Sequence, residues 1–584
     1  MNSGGGGASC SAKILGLLAS SWLVLAPACS ESTGTEGDGG GTGPQAGQGG
    51  ATAGTAGGGL AGSTGGAAGS ASGNTPSGGS ASGLAGAGSG SIAGNGSTAG
   101  SGGTLAGSAG TASGAGSGGS GTGGGGTGGA GGNPPLGALA LSNLSVEPNP
   151  KMSLSCYVSW TTAEPANSEV QFGVGGYTLR IVDDALVTEH RVHVLGMHAE
   201  TAYDLKAVST NQTATGSAES DFTTGPLPEN APEKGTLVAS ETSKMQPGWT
   251  LTNFHVGGSS NFSTSPAIIL ILDEEAIPVW YFVHGDSADQ FGMTSTVWLP
   301  NGNILIGNAS AEPPREVDLE GNVVWEGPTG GSPAASHHTG KLATGNYLMV
   351  RESNQSARVE EVSPENQVVW SWDLYDHLQP KTSAADWCHL NSVSVNADER
   401  FLYFNCRFQG LFKVDRQSGD LLWQMGAAID DSQTGDVRYL PDNSVRFNDA
   451  HDPQVHADGS VLFYDNDGWP SHMGGENNGD LHSRVVEYTL DETTKEATLS
   501  WEFPGSFDVD PWYEDEWSTP IWGDADRLEN GNVLVTAGIR GAGTHTRIFE
   551  VSRAGEVVWG FEWPENNGSY RANRISPPPA APIR

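Results

Sequence analysis

Between residues 235 and 570 the apolar positions come in short bursts of valine, leucine, isoleucine and aromatic residues, each closed by a turn of glycine, asparagine or aspartate. Two phrases recur. The first is a turn followed by a strand ending in tryptophan: "DEEAIPVW" to Trp280, "DLEGNVVW" to Trp325, "SPENQVVW" to Trp370, "DRQSGDLLW" to Trp423, "TTKEATLSW" to Trp501 and "SRAGEVVW" to Trp559. The second is a hairpin on L-x-x-G-N-x-L: "VWLPNGNILIGN", "GKLATGNYLMV", "SVNADERFLYF", "QVHADGSVLFY" and "RLENGNVLVTAG". Asn-Gly and Asp-Gly supply the positive φ that tight hairpins need, so each repeat predicts one four-stranded antiparallel sheet. Six tryptophan-ended strands predict six such sheets, with the first hairpin supplied by "NFHVGG" or by chain closure. Helical periodicity is absent, which disfavours a helical solenoid. The predicted fold is all-β: a six-bladed β-propeller over residues 229–570, a form that protects its sheet edges by closing on itself.

Residues 138–228 carry shorter strand-like runs, among them "LSNLSVEP", "SCYVSWTT" and "AYDLKAVST", and predict a small β-sandwich with Trp160 in its core. The stretch "LGMHAETAYDLKAVS" resembles the fibronectin type III corner, with Met197 and Ala199 where leucine and proline are usual. The resemblance implies that Tyr203 bonds back to the backbone, and that the module is a spacer or docking surface.

Composition changes the picture at both ends. Residues 30–137 are almost wholly Gly, Ala, Ser and Thr, which cannot bury enough apolar surface to offset ordering entropy and predict a disordered tether. Residues 1–29 read as a signal peptide: Lys13, an apolar stretch too short to span a bilayer, then "APAC". That ending resembles a bacterial lipoprotein signal, which implies lipidation of Cys29. The expectation is an exported, lipid-anchored protein of the outer membrane that meets the membrane only through its anchor. Residues 571–584 are expected to be a Pro-rich tail. Beyond Cys10 and Cys29 only Cys156, Cys388 and Cys406 remain, so one disulfide is allowed. A formal charge of −38 argues against nucleic acid and anionic membrane surfaces as partners.

Candidate chemistry comes from aligning the hairpins on their turn glycine. Eight residues before Gly345 stands His337, and eight before Gly459 stands His451. In the "NADER" copy the same place falls on or beside His389; elsewhere it holds Thr294 and Gly523. Equivalent positions on the inner strands of a propeller converge on its axis, so three imidazoles are expected to meet there. His338 is the one histidine able to exchange roles with His337, whereas His456, His472, His482 and His545 lack the register. Pairing across "NADE" sets Arg407 nearly opposite His389 and brings Cys388 and Cys406 close enough to bridge. Three imidazoles and a guanidinium with no matching carboxylate favour an anion. Three histidines also suit zinc or copper, but a neighbouring guanidinium raises the cost of a dication, so no metal is expected. A non-catalytic surface propeller, with Trp512 and Trp517 stacking on sugars, is the other alternative. "FYDNDG" at residues 463–468 lacks the spacing of a calcium loop and is read as a blade turn.

These motifs resemble the bacterial aryl-sulfate sulfotransferases, which use no nucleotide sulfate donor. The resemblance rests on H-x-x-x-x-L-x-x-G-N at His337, "DWCHLNSV" with His389 and Asn391, Arg407 eighteen residues after His389, "NDAHDPQVHADGSVLFYDND" with His451, and "GDADRLENGNVLV". Ala450 stands where the family has glutamine, and "YDND" where it has "FDNG". The resemblance implies transfer of a sulfuryl group from an aryl sulfate to a phenol without a cofactor. It makes His451 the nucleophile and assigns His337, His389 and Arg407 to sulfuryl binding and acid/base work; Asn391, from the same motif, and His338, beside His337, are expected at the substrate.

Overall fold

The computed structural model describes residues 136–256, 266–285, 295–307, 312–328, 334–353, 355–378, 387–426, 437–440, 447, 449–466, 483–503, 519, 521–538, 546–577 and 581–582. The signal, Cys29, nearly all of the tether, Thr294, His472, His482, Trp512, Trp517 and His545 lie outside them. Among the described residues the only helix is a single 3-10 turn, Leu374–Asp376.

Six sheets form the propeller. Blade 2 holds Thr296–Trp298, Ile304–Ile306, Arg315–Val317 and Val323–Glu326; blade 3 runs from Ala334–Lys341 to Val368–Asp373, and blade 4 from Leu390–Val395 to Leu421–Met425. Blade 5 runs from His451–Val455 to Glu496–Phe503, with Arg438–Leu440 added outside in parallel. Blades 1 and 6 interlock the chain ends. Thr236–Ser240 is the outermost strand of blade 6, beyond Val557–Glu562. Ala572–Ile575 pairs antiparallel with Trp249–Thr252 and is the innermost strand of blade 1. The expected tail therefore begins too early: residues 572–575 form a paired strand of blade 1, and Ala572 and Ile575 are buried. Each blade meets the next through at least one inner strand all the way round, which shuts the ring.

The repeated phrases have plain mechanical reasons. Gly302, Gly345, Gly459 and Gly531 have φ of 82°, 90°, 83° and 86°, the left-handed turn position, and Glu399 takes it at φ 56° in the glycine-free copy. Three of the repeat tryptophans bridge blades by hydrogen bonds. The indole N–H of Trp280 donates to Leu319 O, that of Trp501 to Arg553 O and that of Trp559 to Glu274 O, each acceptor lying in the next blade's outer turn. Blade 3 uses Trp372, two residues after Trp370 on the same face, to reach Gly419 O at 2.9 Å.

The N-terminal sheet bends into two. Leu141–Pro148, residues 156–161 and residues 189–194 pair on one side; residues 166–172, 179–187, 202–210 and 214–223 pair on the other. Trp160 is 1 % exposed between them, and the Tyr203 hydroxyl accepts from His198 N at 2.8 Å. The unit rests on blade 1 through Ser153 N, which donates to the Tyr281 hydroxyl at 3.0 Å, and through His198 Nε2, 2.7 Å from Asp273 Oδ2.

Trp559 is fully buried where blade 6 meets blade 1. Trp559→Phe removes its bond and strands the Glu274 carbonyl, so urea unfolding should show a loss of about 1–3 kcal/mol at an unchanged slope.

Candidate active site at the propeller axis

Each of the three aligned histidines lies at an irregularity of an inner strand. The register of Ala334–Lys341 slips between Ser336 and Thr339, and His337 there has φ 47°. His389, at φ 53°, precedes Leu390–Val395, whose register slips between Leu390 and Ser392. His451 opens a strand that slips before Gln454, with Asp452 at φ 44°. Bulges re-aim side chains, and left-handed non-glycine residues cost about 1–3 kcal/mol each, a strain that clusters at functional sites. In blade 6 the equivalent Gly523 has φ 140°, and a Cβ there would come within 2.2 Å of the Tyr464 ring, so that position is closed to a side chain.

These positions do converge. The rings of His337 and His389 lie 4.8 Å apart between centroids at 71°. Tyr570, fully buried, has its ring centroid 6.3 Å from those of both His337 and His451. Arg407 N donates to His389 O at 2.9 Å, and Cys388 and Cys406 are joined in a disulfide across the same hairpin. The Arg407 guanidinium lies over the Phe408 ring and 3.5 Å from Asp449 Oδ2. The expectation of a site without carboxylates is therefore corrected: the turn before His451 brings in Asp449, which spacing alone did not pair with Arg407.

Asn466 is the residue that sequence reasoning passed over as part of a blade turn. Its amide donates to Thr519 O and Trp522 O, both at 2.7 Å, which fixes which end is oxygen. That oxygen lies 2.6 Å from His451 Nδ1, so Nδ1 carries the proton and donates, with Asp449 O a second acceptor at 3.1 Å. Nε2 of His451 keeps its lone pair. The signal was present in "YDND": an asparagine directly after the strand that faces His451 across the hairpin.

Two expected substrate contacts have other work. Asn391 is 0 % exposed; its amide donates to Ala450 O at 3.0 Å and its oxygen accepts from Asn405, so it braces the strand of His451. His338 Nδ1 accepts from Val393 N at 3.4 Å and from Arg571 Nη1 at 3.1 Å. His456 closes its hairpin turn through backbone bonds to Ser460 and Gly459.

Burial and nearby positive charge keep His337, His338 and His451 neutral. Burial, followed by the charges of His389, His451, Arg571 and Arg407, holds His337 well below the ordinary histidine value. Burial and then Arg407 do the same to His451, opposed by its bond to Asn466. His338 falls to about 3, through burial and then Arg571. Below the histidines, Asp452, Asp524 and Asp526 bring carboxylate oxygens within 4.8 Å of one another. Burial and mutual repulsion raise Asp524 and Asp526, and Arg571 Nη1 sits 2.7 Å from Asp452 Oδ1, so protons and one guanidinium compensate this cluster.

The described side chains at this axis can grip an anion with Arg407 and imidazole N–H groups, and can present one oriented imidazole lone pair. Solved structures similar to the chain include the Cps50 (Swd1) β-propeller domain of Myceliophteria thermophila, at 10% identity over 57% of this chain and 90% of that one, TM-score 0.34. A streptogramin B lyase is 12% identical over 59% and 97%, TM-score 0.32, and virginiamycin B lyase from Staphylococcus aureus is 9% identical over 64% and 92%, TM-score 0.27. At such scores the blade assignment rests on strand pairing. No curated protein matches the chain in sequence. The family model described as arylsulfotransferase (ASST) matches residues 234–571, more than half of the 584 residues and the whole span that holds the histidines, and the chain belongs to that family.

Proposed function

We propose that this protein transfers a sulfuryl group from an aryl sulfate to a phenol in two steps, through His451. The observation that carries the reading is His451 itself, held neutral with its proton on Nδ1, on a strand whose blade-equivalents carry His337 and His389. In the first step Nε2 of His451 bonds to sulfur while the sulfur–oxygen bond to the aryl group breaks. His389, as imidazolium, gives the departing phenolate its proton. The imidazole then bears SO₃ on Nε2 and keeps its Nδ1 proton on Asn466. In the second step the acceptor phenol's oxygen bonds to sulfur, the nitrogen–sulfur bond breaks, and the phenol's proton returns to His389. Arg407 and an N–H of His337 hold the non-bridging oxygens, whose charge persists through a loose transition state, so most of the catalysis is positioning and electrostatics. Small aryl sulfates and phenols are the partners, and the chemistry needs no cofactor.

The rest of the chain fits an exported enzyme. We infer a lipoprotein signal ending at Cys29, a tether, and a fibronectin type III-like spacer; the Cys388–Cys406 disulfide supports an oxidising compartment.

Release of nitrophenolate from 4-nitrophenyl sulfate with phenol as acceptor tests the reading, with ping-pong kinetics expected. His451→Ala should abolish turnover; equal release by wild type and variant, or none by either, would overturn it. Asn466→Ala frees the ring to change tautomer and leaves only the longer bond to Asp449 O, so kcat should fall roughly ten- to a hundredfold. A base whose value is depressed stays unprotonated to lower pH. The acid limb of kcat/KM set by His451 should therefore lie below pH 6.5, and a limb at or above that value would contradict the burial described here.

A further inference from the structure

Arg571, placed by sequence in a tail, stands directly before the closing strand Ala572–Ile575 and is 3 % exposed. Its guanidinium reaches three blades. Nη1 lies 2.7 Å from Asp452 Oδ1 in blade 5 and donates to His338 Nδ1 in blade 3 at 3.1 Å, and Nη2 donates to Asn391 O in blade 4 at 3.0 Å. Asp452 follows His451, His338 follows His337, and Asn391 is two residues after His389. One planar group thus holds the strand of every aligned histidine, one or two residues beyond it. Its own backbone is anchored in blade 1: Arg571 N donates to Asn253 Oδ1 at 3.2 Å, and Arg571 O accepts from Thr252 Oγ1 at 2.8 Å.

We propose that Arg571 is a positioning residue for sulfuryl transfer: its guanidinium sets the spacing of the three histidine-bearing strands and so aims His337, His389 and His451 at one anion. The identity of that anion rests on the sulfuryl-transfer reading; the geometry does not. Left-handed backbone at His337, His389 and Asp452 persists only where the surroundings over-determine it, and a rigid fork bonded to all three strands is such a constraint. Lysine, a point charge on a flexible stem, cannot reproduce the fork. The charge has a second effect, because Arg571 opposes protonation of both His337 and His451. His451 is faced by Tyr570, by His337 and His389 and by Arg407 and Arg571; Asp449, two residues before it, pairs with Arg407, and Asp452 follows it with Asp524 and Asp526 beyond. It follows that the site is complete only once the last inner strand has docked.

The test uses the full chain with Arg571→Lys and Arg571→Gln, read by steady-state kinetics with 4-nitrophenyl sulfate and phenol, by NMR titration of the His451 imidazole, and by thermal midpoint as a control for folding. Arg571→Lys keeps the charge and loses the fork, so kcat should fall about ten- to a hundredfold, with KM little changed and the His451 titration in place. Arg571→Gln should also move that titration upward. Wild-type kcat in Arg571→Lys, or an unmoved titration in Arg571→Gln, overturns the proposal. Should Arg571→Lys not fold, His338→Leu, which removes one of the three acceptors and leaves the ion pair, must show the same loss of kcat. A wild-type protein without turnover counts against the sulfuryl-transfer reading alone, since the titration in wild type and Arg571→Gln still decides the role of Arg571.

Discussion

The antiparallel pairing of Ala572–Ile575 with Trp249–Thr252 is the constraint on which the rest of the molecule depends. A propeller blade cannot bury its faces alone; it needs a neighbour on each side, and the first and last blades are neighbours only if the chain ends interlock. Here the N-terminal strand Thr236–Ser240 lies on the outside of blade 6, and the C-terminal strand lies at the axis of blade 1. Closure is therefore made twice, at opposite radii, by segments more than 300 residues apart.

The same closure charges the axis. The closing segment brings Tyr570 and Arg571 to the centre, both almost wholly buried, and Arg571 joins Arg407 beside the imidazoles. Two guanidinium groups next to three histidines are tolerable because Asp452 and Asp449 stand against them, and because burial keeps His337 and His451 neutral. A neutral imidazole serves as nucleophile, and fixed guanidinium charge serves as anion grip, so the requirement of stability and that of the proposed chemistry point the same way. The acidic cluster of Asp452, Asp524 and Asp526 belongs to this balance.

Much of this was readable in the chain. Trp280, Trp501 and Trp559 announced strands that bridge to the next blade, and the glycines at 302, 345, 459 and 531 announced hairpins, because each residue type has a local mechanical reason to stand there. His337 and His451 were found by counting back from those glycines, since equal spacing along equivalent strands means equal radius in a ring. His389 was found despite a longer turn, and Cys388 and Cys406 through the same hairpin register. The bonds of Asn391 and His338 to neighbouring strands were not legible, because spacing tells which strand a side chain rides on and nothing about the partners it meets across blades.

What the sequence alone determined was periodic: six repeats, β strands, tight turns and the radial position of three imidazoles. All of these follow from interactions among residues close in the chain, or from the repetition of one pattern. Only the tertiary structure decided how that pattern ends. The placement of Arg571 against Asp452, His338 and Asn391, and the choice of the Nδ1 tautomer of His451 by an Asn466 amide pinned to Thr519 and Trp522, depend on groups brought together from separate strands and blades. Such contacts leave no trace in local composition, because they are set by the closing of the ring.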